Sequence, residues 1–207
     1  MMSDWKWKDQ VYVFDDILPL EDQLEIKNWL LGESFPWQYL PDVTGGGSQD
    51  ARPAMRHSFI GQGITNTAQS LDLIQQLLNA SLNRLYEETQ QKAQYELFNS
   101  RAFLQFPLKT LSGPEYDAHH IDHVSEHLSI LYYVIDADGD TVLFDNTYHP
   151  DLRPSAPSPD QLTELQRVSP KRGRVVIFDG YRWHTATQPK TGIRCVINSN
   201  VNASRSS

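Results

Sequence analysis

Residues 116–123 have the sequence Tyr116-Asp117-Ala118-His119-His120-Ile121-Asp122-His123, and four of the seven histidines of the chain fall between 119 and 127. Alternate side chains of an extended strand point to the same face. A strand over 117–123 would therefore bring the His120 imidazole and the Asp122 carboxylate side by side. His-x-Asp alone occurs by chance in many proteins, so the pair does not by itself distinguish a metal site from an ordinary strand.

A third candidate ligand lies far downstream, at His184. It follows a strand-like apolar segment, 174–179, whose end would direct a side chain into a cavity. Two histidines and one carboxylate can hold one face of an octahedral site and leave the other positions open, as in non-haem Fe(II) oxygenases. We therefore expect His120, Asp122 and His184 to bind one metal ion.

The other histidines of this region are weaker candidates. His119 lies one residue out of register and should face the opposite way from the ligands. We expect His123 and His127 to be surface or supporting residues.

An arginine opens an apolar strand ten residues after His184, in Arg194-Cys195-Val196-Ile197-Asn198. Burying a guanidinium is costly unless it is paired, and its planar fork matches a carboxylate. The strand contains no acidic partner, so we expect a carboxylate ligand at Arg194.

Composition limits the class of protein. The 207 residues carry a net charge of -8, which argues against a general nucleic-acid binder, because such proteins usually have a basic footprint. The single cysteine, Cys195, excludes an intrachain disulfide and a thiolate zinc site. The first ten residues lack the apolar segment of a signal peptide, and the longest apolar run, 128–135, is too short for a membrane span. We expect a cytoplasmic protein without a membrane partner.

The hydrophobic pattern predicts a mainly β protein with flanking helices (α+β). Helices are expected from residue 19 to about 31, with an apolar side at Leu20, Leu24 and Trp29/Leu30, and from 68 to about 92. Strands are expected at 10–15, 102–106, 117–123, 128–136, 141–144, 174–179 and 193–201, with a long loop at 146–170 that has one helical turn near 161–167. Short strands separated by turns suggest an antiparallel sandwich or barrel.

The ordered set His120-x-Asp122, His184 and Arg194 resembles the Fe(II)- and 2-oxoglutarate-dependent dioxygenases, most of all their prolyl-4-hydroxylase-like, phage-type branch. Leu131-Tyr132-Tyr133 before the turn 138–141, and Gly173–Asp179 before His184, add to the likeness. The resemblance implies a double-stranded β-helix (jelly roll, cupin-like) core at 97–202. Residues 1–96 would supply a strand and supporting helices of the same single domain, 1–207.

The resemblance also implies roles for individual residues. His120, Asp122 and His184 would bind Fe(II), and Arg194 would hold the distal carboxylate of 2-oxoglutarate, with O2 as the other co-substrate. Tyr133 matches a tyrosine that hydrogen-bonds this carboxylate in some relatives, and it could equally be an aromatic core residue. No catalytic side chain is implied beyond the metal ligands. The products would be succinate, CO2 and a substrate hydroxylated at a C–H bond, with peptidyl proline as one candidate target.

Two features depart from that pattern or extend it. Val196 stands where many relatives have Ser or Thr, so one hydrogen bond to the co-substrate is either missing or supplied from elsewhere. The loops at 45–48 and 146–170 are candidate lids over the site, and surface loops without a role are the alternative.

A cupin-like metal-binding protein without oxygenase activity is the main alternative function. It would keep the three ligands but have no use for Arg194. Within the oxygenase interpretation, the substrate could be a protein, a peptide or a small molecule, because a fold does not determine a substrate. Nucleic-acid bases are a further alternative, which the acidic composition disfavours.

Overall fold

A computed structural model describes residues 5–43, 52–61, 68–108, 116–151 and 156–205. The Gly45–Ser48 loop and the turn expected at 109–115 lie outside these ranges. The elements are β1 Tyr12–Phe14, α1 Leu20–Leu30, β2 Gln38–Leu40, β3 Ala54–Ile60, α2 Ala68–Thr89, β4 Ala93–Gln105, β5 Leu128–Tyr133, β6 Thr141–Thr147, β7 Glu164–Val168, β8 Val175–Asp179, β9 Arg182–Ala186 and β10 Arg194–Arg205.

Within the described ranges, the strands form two antiparallel sheets. The larger has the order β1-β8-β5-β10-β4-β3-β2, and the smaller has the order β7-β6-β9. β10 is central in the larger sheet because it pairs with β4 on one side and with β5 on the other. The expectation of a mainly β protein with flanking helices is confirmed.

The two faces of β10 serve different layers. Cys195, Ile197 and Val201 belong to a core that also includes Ile74 and Leu78 of α2, so this face lies towards the helices. Val196, on the opposite face, belongs to a second core that contains residues of both sheets. Because side chains alternate along a strand, Arg194 and Asn198 share the face of Val196, between the sheets.

The helices cover the larger sheet, but the face expected for α1 was wrong at Leu20 and Leu24, while Leu30 is buried as expected. Leu20 and Leu24 are exposed, whereas Gln23, Ile26 and Leu30 are buried. These buried positions follow the three- and four-residue spacing of one helical face, which is the geometry that packing selects. For the residues described, no helix is both long enough and apolar enough to cross a membrane.

Several expected elements also differ from the structure. Residues 117–123 form no continuous strand: only isolated bridges occur, between Tyr116 and Thr187 and between His120 and His184. The helical turn expected at 161–167 is instead a short 3-10 helix, Pro159–Gln161, followed by β7. β7 is an edge strand with mostly exposed polar residues, so its hydrophobic pattern is weak and its pairing with β6 determines its conformation.

Candidate metal and co-substrate site

His120, Asp122 and His184 come together although the segment that carries two of them is not a regular strand. One ligand atom from each lies within 4.8 Å of the others. His120 and His184 are held opposite each other by two backbone hydrogen bonds, with N to O distances of 2.9 and 3.0 Å. Their imidazole centroids are 4.5 Å apart. The backbone bridge to β9, and not only the alternation of side chains along a strand, therefore places His120 beside His184.

Both imidazoles are oriented by backbone carbonyls. His120 Nδ1 lies 3.2 Å from the Ala118 oxygen, and His184 Nδ1 lies 3.0 Å from the Arg182 oxygen. A carbonyl can only accept, so each Nδ1 carries a proton, and in the neutral ring it is Nε2 that presents a lone pair. This is the arrangement usual for histidine ligands of metals.

The Asp122 carboxylate is held by three neutral side chains. Asn198 Nδ2 donates to Oδ1 at 2.9 Å, while Ser129 Oγ and Asn200 Nδ2 donate to Oδ2 at 2.9 and 3.0 Å. The side chain is only 2% exposed. A carboxylate has roughly four lone-pair sites, so this cradle leaves acceptor capacity for one metal bond.

The ionisation states suit a metal site. Burial by itself would raise the pKa of Asp122, but nearby His184 and His120 and the hydrogen bond from Asn198 outweigh it and hold the pKa below its usual range. Burial, reinforced by His120, lowers the pKa of His184 to about 4. At neutral pH, Asp122 is therefore a carboxylate and His184 a neutral imidazole, which are the forms that bind metals.

Arg194 is buried without a carboxylate hydrogen-bonded to it. Its Nε donates to the Gly139 oxygen at 2.8 Å, Nη1 to Gln105 Oε1 at 2.7 Å and Nη2 to Thr141 Oγ1 at 2.9 Å. A guanidinium has more N–H groups than these three contacts use. Gly139 leaves no room for a side chain, since a Cβ there would lie 2.9 Å from the Thr187 oxygen and 3.0 Å from Arg194 Cδ. The expected position of Arg194, inside the fold rather than in solvent, is what the structure shows.

Tyr133 contacts this cation through its aromatic ring. Its ring lies 5.8 Å from the Arg194 Cζ, and its hydroxyl donates to Thr141 Oγ1 at 2.7 Å. The side chain is fully buried, and Thr141 rather than Tyr133 lines the adjacent cavity. A direct hydrogen bond from Tyr133 to a co-substrate remains a prediction. The sequence analysis did not identify Thr141 as a cavity residue, because a threonine that opens a strand has no distinctive sequence signal.

One cavity of about 120 Å³ connects the two halves of the site. Leu131, Val196 and Phe103 give it apolar walls. Its polar lining includes His120, His184 and Asn198 at the end with the candidate metal ligands, and Gln105, Asp117, Thr141 and Arg194 at the other.

A buried ion pair that the sequence did not reveal adjoins the cavity. Asp117 accepts hydrogen bonds from Arg52 Nη1 at 2.8 Å, from Gln188 Nε2 at 2.5 Å and from Gln105 Nε2 at 3.0 Å. Because Gln105 donates to Asp117, its amide oxygen is turned towards Arg194. The carboxylate thus neutralises Arg52 and orients Gln105 without bonding directly to Arg194.

The remaining histidines stay outside the ligand set. His119 turns away from it, with Nε2 2.7 Å from the Pro157 oxygen and the ring against Trp183. His127 is fully buried, and its Nδ1 lies 2.7 Å from the Ser125 oxygen. His119 thus faces away from the candidate ligands, as predicted. Its contact with Pro157 connects the segment that carries His120 and Asp122 to the 146–170 loop.

Comparison with solved structures identifies this arrangement of sheets. No protein-family model matches the sequence, and no curated protein is significantly similar to it. A 2OG-Fe(II) oxygenase family protein from Burkholderia pseudomallei superimposes with a TM-score of 0.66 at 12% identity, over 93% of this chain and 84% of that one. The chain has the Fe(II)/2-oxoglutarate oxygenase fold.

Two further similar structures represent different activities on this fold. The α-ketoglutarate-dependent epimerase SnoN of nogalamycin biosynthesis has a TM-score of 0.66 at 14% identity, over 94% of this chain and 78% of that one. A Trichoplax adhaerens prolyl hydroxylase in complex with a hypoxia inducible factor peptide has a TM-score of 0.59 at 13% identity, over 93% and 83%. At these identities the likeness establishes the fold, and it confirms the expected jelly-roll core.

Proposed function

We propose that the protein is an Fe(II)- and 2-oxoglutarate-dependent dioxygenase that hydroxylates a C–H bond and releases succinate and CO2. The observation that carries the proposal is one cavity with a two-histidine, one-carboxylate cluster at one end and a buried arginine without a hydrogen-bonded carboxylate at the other. The oxygenase fold supports it.

His120, Asp122 and His184 would hold the iron. The donor set fits Fe(II), because two imidazole nitrogens and one carboxylate leave positions for a chelating co-substrate and O2. When bound, Fe(II) would supply the activation of O2 that drives both the cleavage of 2-oxoglutarate and the hydroxylation. The protein supplies the orientation of the ligands, through the Asp122 cradle and the backbone carbonyls behind the imidazoles.

Arg194 and Thr141 would bind the distal carboxylate of 2-oxoglutarate. Thr141 Oγ1 accepts a hydrogen bond from Arg194 Nη2, and it is the nearer of two acceptors for the single proton of the Tyr133 hydroxyl, at 2.7 Å against 3.3 Å for the Val168 oxygen. Both acceptor sites of that oxygen are then used, so its own proton is available to a ligand in the cavity that Thr141 lines. This donor would replace the hydroxyl that Val196 lacks, and Tyr133 would act by orienting Thr141.

Thermal unfolding of the metal-free protein tests the proposal. Mn(II) alone and Mn(II) with 2-oxoglutarate should raise Tm in two steps, since a ligand at a hundredfold excess over its Kd stabilises by roughly 2.7 kcal/mol. Arg194→Ala should keep the first step and lose the second. Arg84→Ala, which removes an exposed arginine of α2, is the matched control and should keep both.

The alternative function predicts another result. A cupin-like metal-binding protein would give the metal step without a 2-oxoglutarate step in the wild type. Succinate formation, screened with peptide and small-molecule substrates, would then identify the target of an active oxygenase. Proteins of this fold act on both kinds of molecule: one named above was solved with a peptide, and another belongs to nogalamycin biosynthesis.

A further inference from the structure

Two arginines lie on the inner face of the larger sheet, the face that also carries Val196 and Asn198. In the register of β3 and β4, Arg56 lies opposite Phe103, and Ser58 lies opposite Arg101. In the register of β10 and β4, Asn198 lies opposite Arg101. Directly opposed residues of antiparallel strands share a face, so Arg56 and Arg101 are diagonal neighbours on either side of Phe103, beside the cavity.

Arg101 has an incomplete set of partners. Its Nη2 lies 3.6 Å from Asp122 Oδ1, which is an ion-pair distance but too long for a hydrogen bond. Its guanidinium stacks 5.6 Å from the centre of the Phe103 ring. Its Nε is buried without a hydrogen-bond partner, while the side chain remains 26% exposed. The cation is therefore held in place beside the metal ligand but is not neutralised by a hydrogen-bonded anion.

Arg56 has still fewer partners. Its Nε is also buried without a hydrogen-bond partner, and no carboxylate of the described residues pairs with its guanidinium. Its neighbours across the strands are Gln38 and Phe103. Two cations at neighbouring positions of a sheet repel each other, and a partly buried cation without a partner is costly. A bound anion would remove both costs.

A metal ion would increase this excess of positive charge. Asp122 is the only carboxylate that pairs with Arg101 among the residues described, and it is also the proposed metal ligand. Once a divalent cation shares that carboxylate, Arg101 has less negative charge beside it. Arg194 does not relieve the imbalance, since it is itself a cation and would be covered by the co-substrate. Asp117 is already paired with Arg52.

We propose that Arg56 and Arg101 bind an anionic group of the substrate that is hydroxylated. The inference rests on the proposed function and specifies its substrate class: a compact molecule with a carboxylate or phosphate close to the carbon that reacts. Arginine suits this role, because its planar fork binds either anion through two parallel hydrogen bonds. The short distance from Arg101 to Asp122 requires that the anion and the reacting carbon be separated by only a few bonds.

Methylphosphonate is a suitable probe, since it carries the anion without a reactive chain. The wild type is loaded with Mn(II) and 2-oxoglutarate in the absence of O2, so that the co-substrate covers Arg194. Methylphosphonate is then titrated, and the paramagnetic broadening of its 31P signal reports binding near Mn(II). We expect saturable broadening in the wild type, a Kd at least tenfold weaker in Arg56→Gln and in Arg101→Gln, and a smaller loss in Arg56→Lys, which keeps the charge but not the planar fork.

The controls separate this inference from the proposed function. Arg84→Gln should bind the probe as the wild type does. The Tm increase with Mn(II) and 2-oxoglutarate checks that each variant is folded and loaded. If Arg101→Gln does not fold, Arg56→Gln decides alone. Equal affinity in the wild type and Arg56→Gln, or no saturable broadening in the wild type, would overturn the inference. If 2-oxoglutarate fails to bind, the proposed function fails. Titration with Mn(II) alone then still tests the inference by comparison of variants: Arg194 is open to the probe in every protein, so a weaker Kd in Arg56→Gln than in the wild type reports binding by the two arginines.

Discussion

Gln105 holds Arg194 through a hydrogen bond of 2.7 Å from Nη1 to Oε1. The other end of the same amide donates to Asp117 at 3.0 Å, which prevents the amide from turning over. Arg194 is thereby fixed by a neutral acceptor and keeps its full charge for a ligand. Because Gln105 is neutral, it does not cancel the charge of the guanidinium as a carboxylate in an internal ion pair would.

Gln105→Glu should weaken 2-oxoglutarate binding by one to two orders of magnitude. The new carboxylate would pair with Arg194 and repel the distal carboxylate of the co-substrate, and each tenfold loss corresponds to about 1.4 kcal/mol. Isothermal titration of the Mn(II)-loaded protein measures the effect. Gln105→Met, which has similar volume and no charge, should lose less. An unchanged affinity in Gln105→Glu would show that Arg194 does not contact the ligand.

Thr141→Val should also reduce 2-oxoglutarate affinity. The substitution keeps the shape but removes the oxygen between Tyr133 and Arg194, and a buried hydrogen bond to a charged group contributes about 1.5–3 kcal/mol. We expect a Kd raised by roughly tenfold to a hundredfold, measured by the same titration. Thr141→Ser, which retains the hydroxyl, should bind nearly as the wild type does. If both variants bind alike, the hydroxyl is not a ligand.

Asn200→Ala should weaken metal binding by roughly 10- to 100-fold, as is typical when a group that orients a metal ligand is removed. The reason is that Asn200 Nδ2 donates to Asp122 Oδ2 at 3.0 Å. Electron paramagnetic resonance of free Mn(II) measures the affinity directly. Ser199→Ala is the matched control, because its hydroxyl is on the other face of β10 and contacts Ser100. A similar loss in both variants would mean general destabilisation of the strand.

The metal-free protein should lose stability as the pH falls from about 6.5 towards 4. Burial lowers the pKa of His184 from 6.5 to about 4, so over this interval the unfolded chain binds a proton that the folded protein excludes. The contribution is complete above the unfolded pKa and is lost progressively below it. Urea midpoints measured with a chelator present test this. His184→Asn should flatten the pH dependence, and an unchanged slope would contradict it.

The convergence of the three proposed metal ligands could be predicted from the sequence, because such a site needs distinctive residue types in a fixed order. His120, Asp122 and His184 do converge, although a bridge to β9 contributes where a regular strand was expected. The Asp122 cradle could not be predicted, since Asn198 and Asn200 resemble any polar residues of a strand. The same holds for Arg52 and Asp117, which are 65 positions apart along the chain.

Errors in the predicted elements have a common physical origin. β2, β3 and β7 owe their extended conformation to pairing with neighbours, and local sequence preference for strands is weak in such settings. The apolar side chains of α1 suggested one face, but packing buries another that includes Gln23. The lids expected at 45–48 and 146–170 remain a prediction.

A single strand, β10, fixes the distance between the two ends of the pocket. β10 carries Arg194 at one end and, on the same face, the amides of Asn198 and Asn200 that fix Asp122. Hydrogen bonds to β4 and β5 on its two sides prevent it from stretching. The protein should therefore select dicarboxylic acids by the length of the carbon chain between their carboxylates. A keto diacid one methylene shorter or longer than 2-oxoglutarate could reach the guanidinium or chelate the metal, but it could not do both without strain.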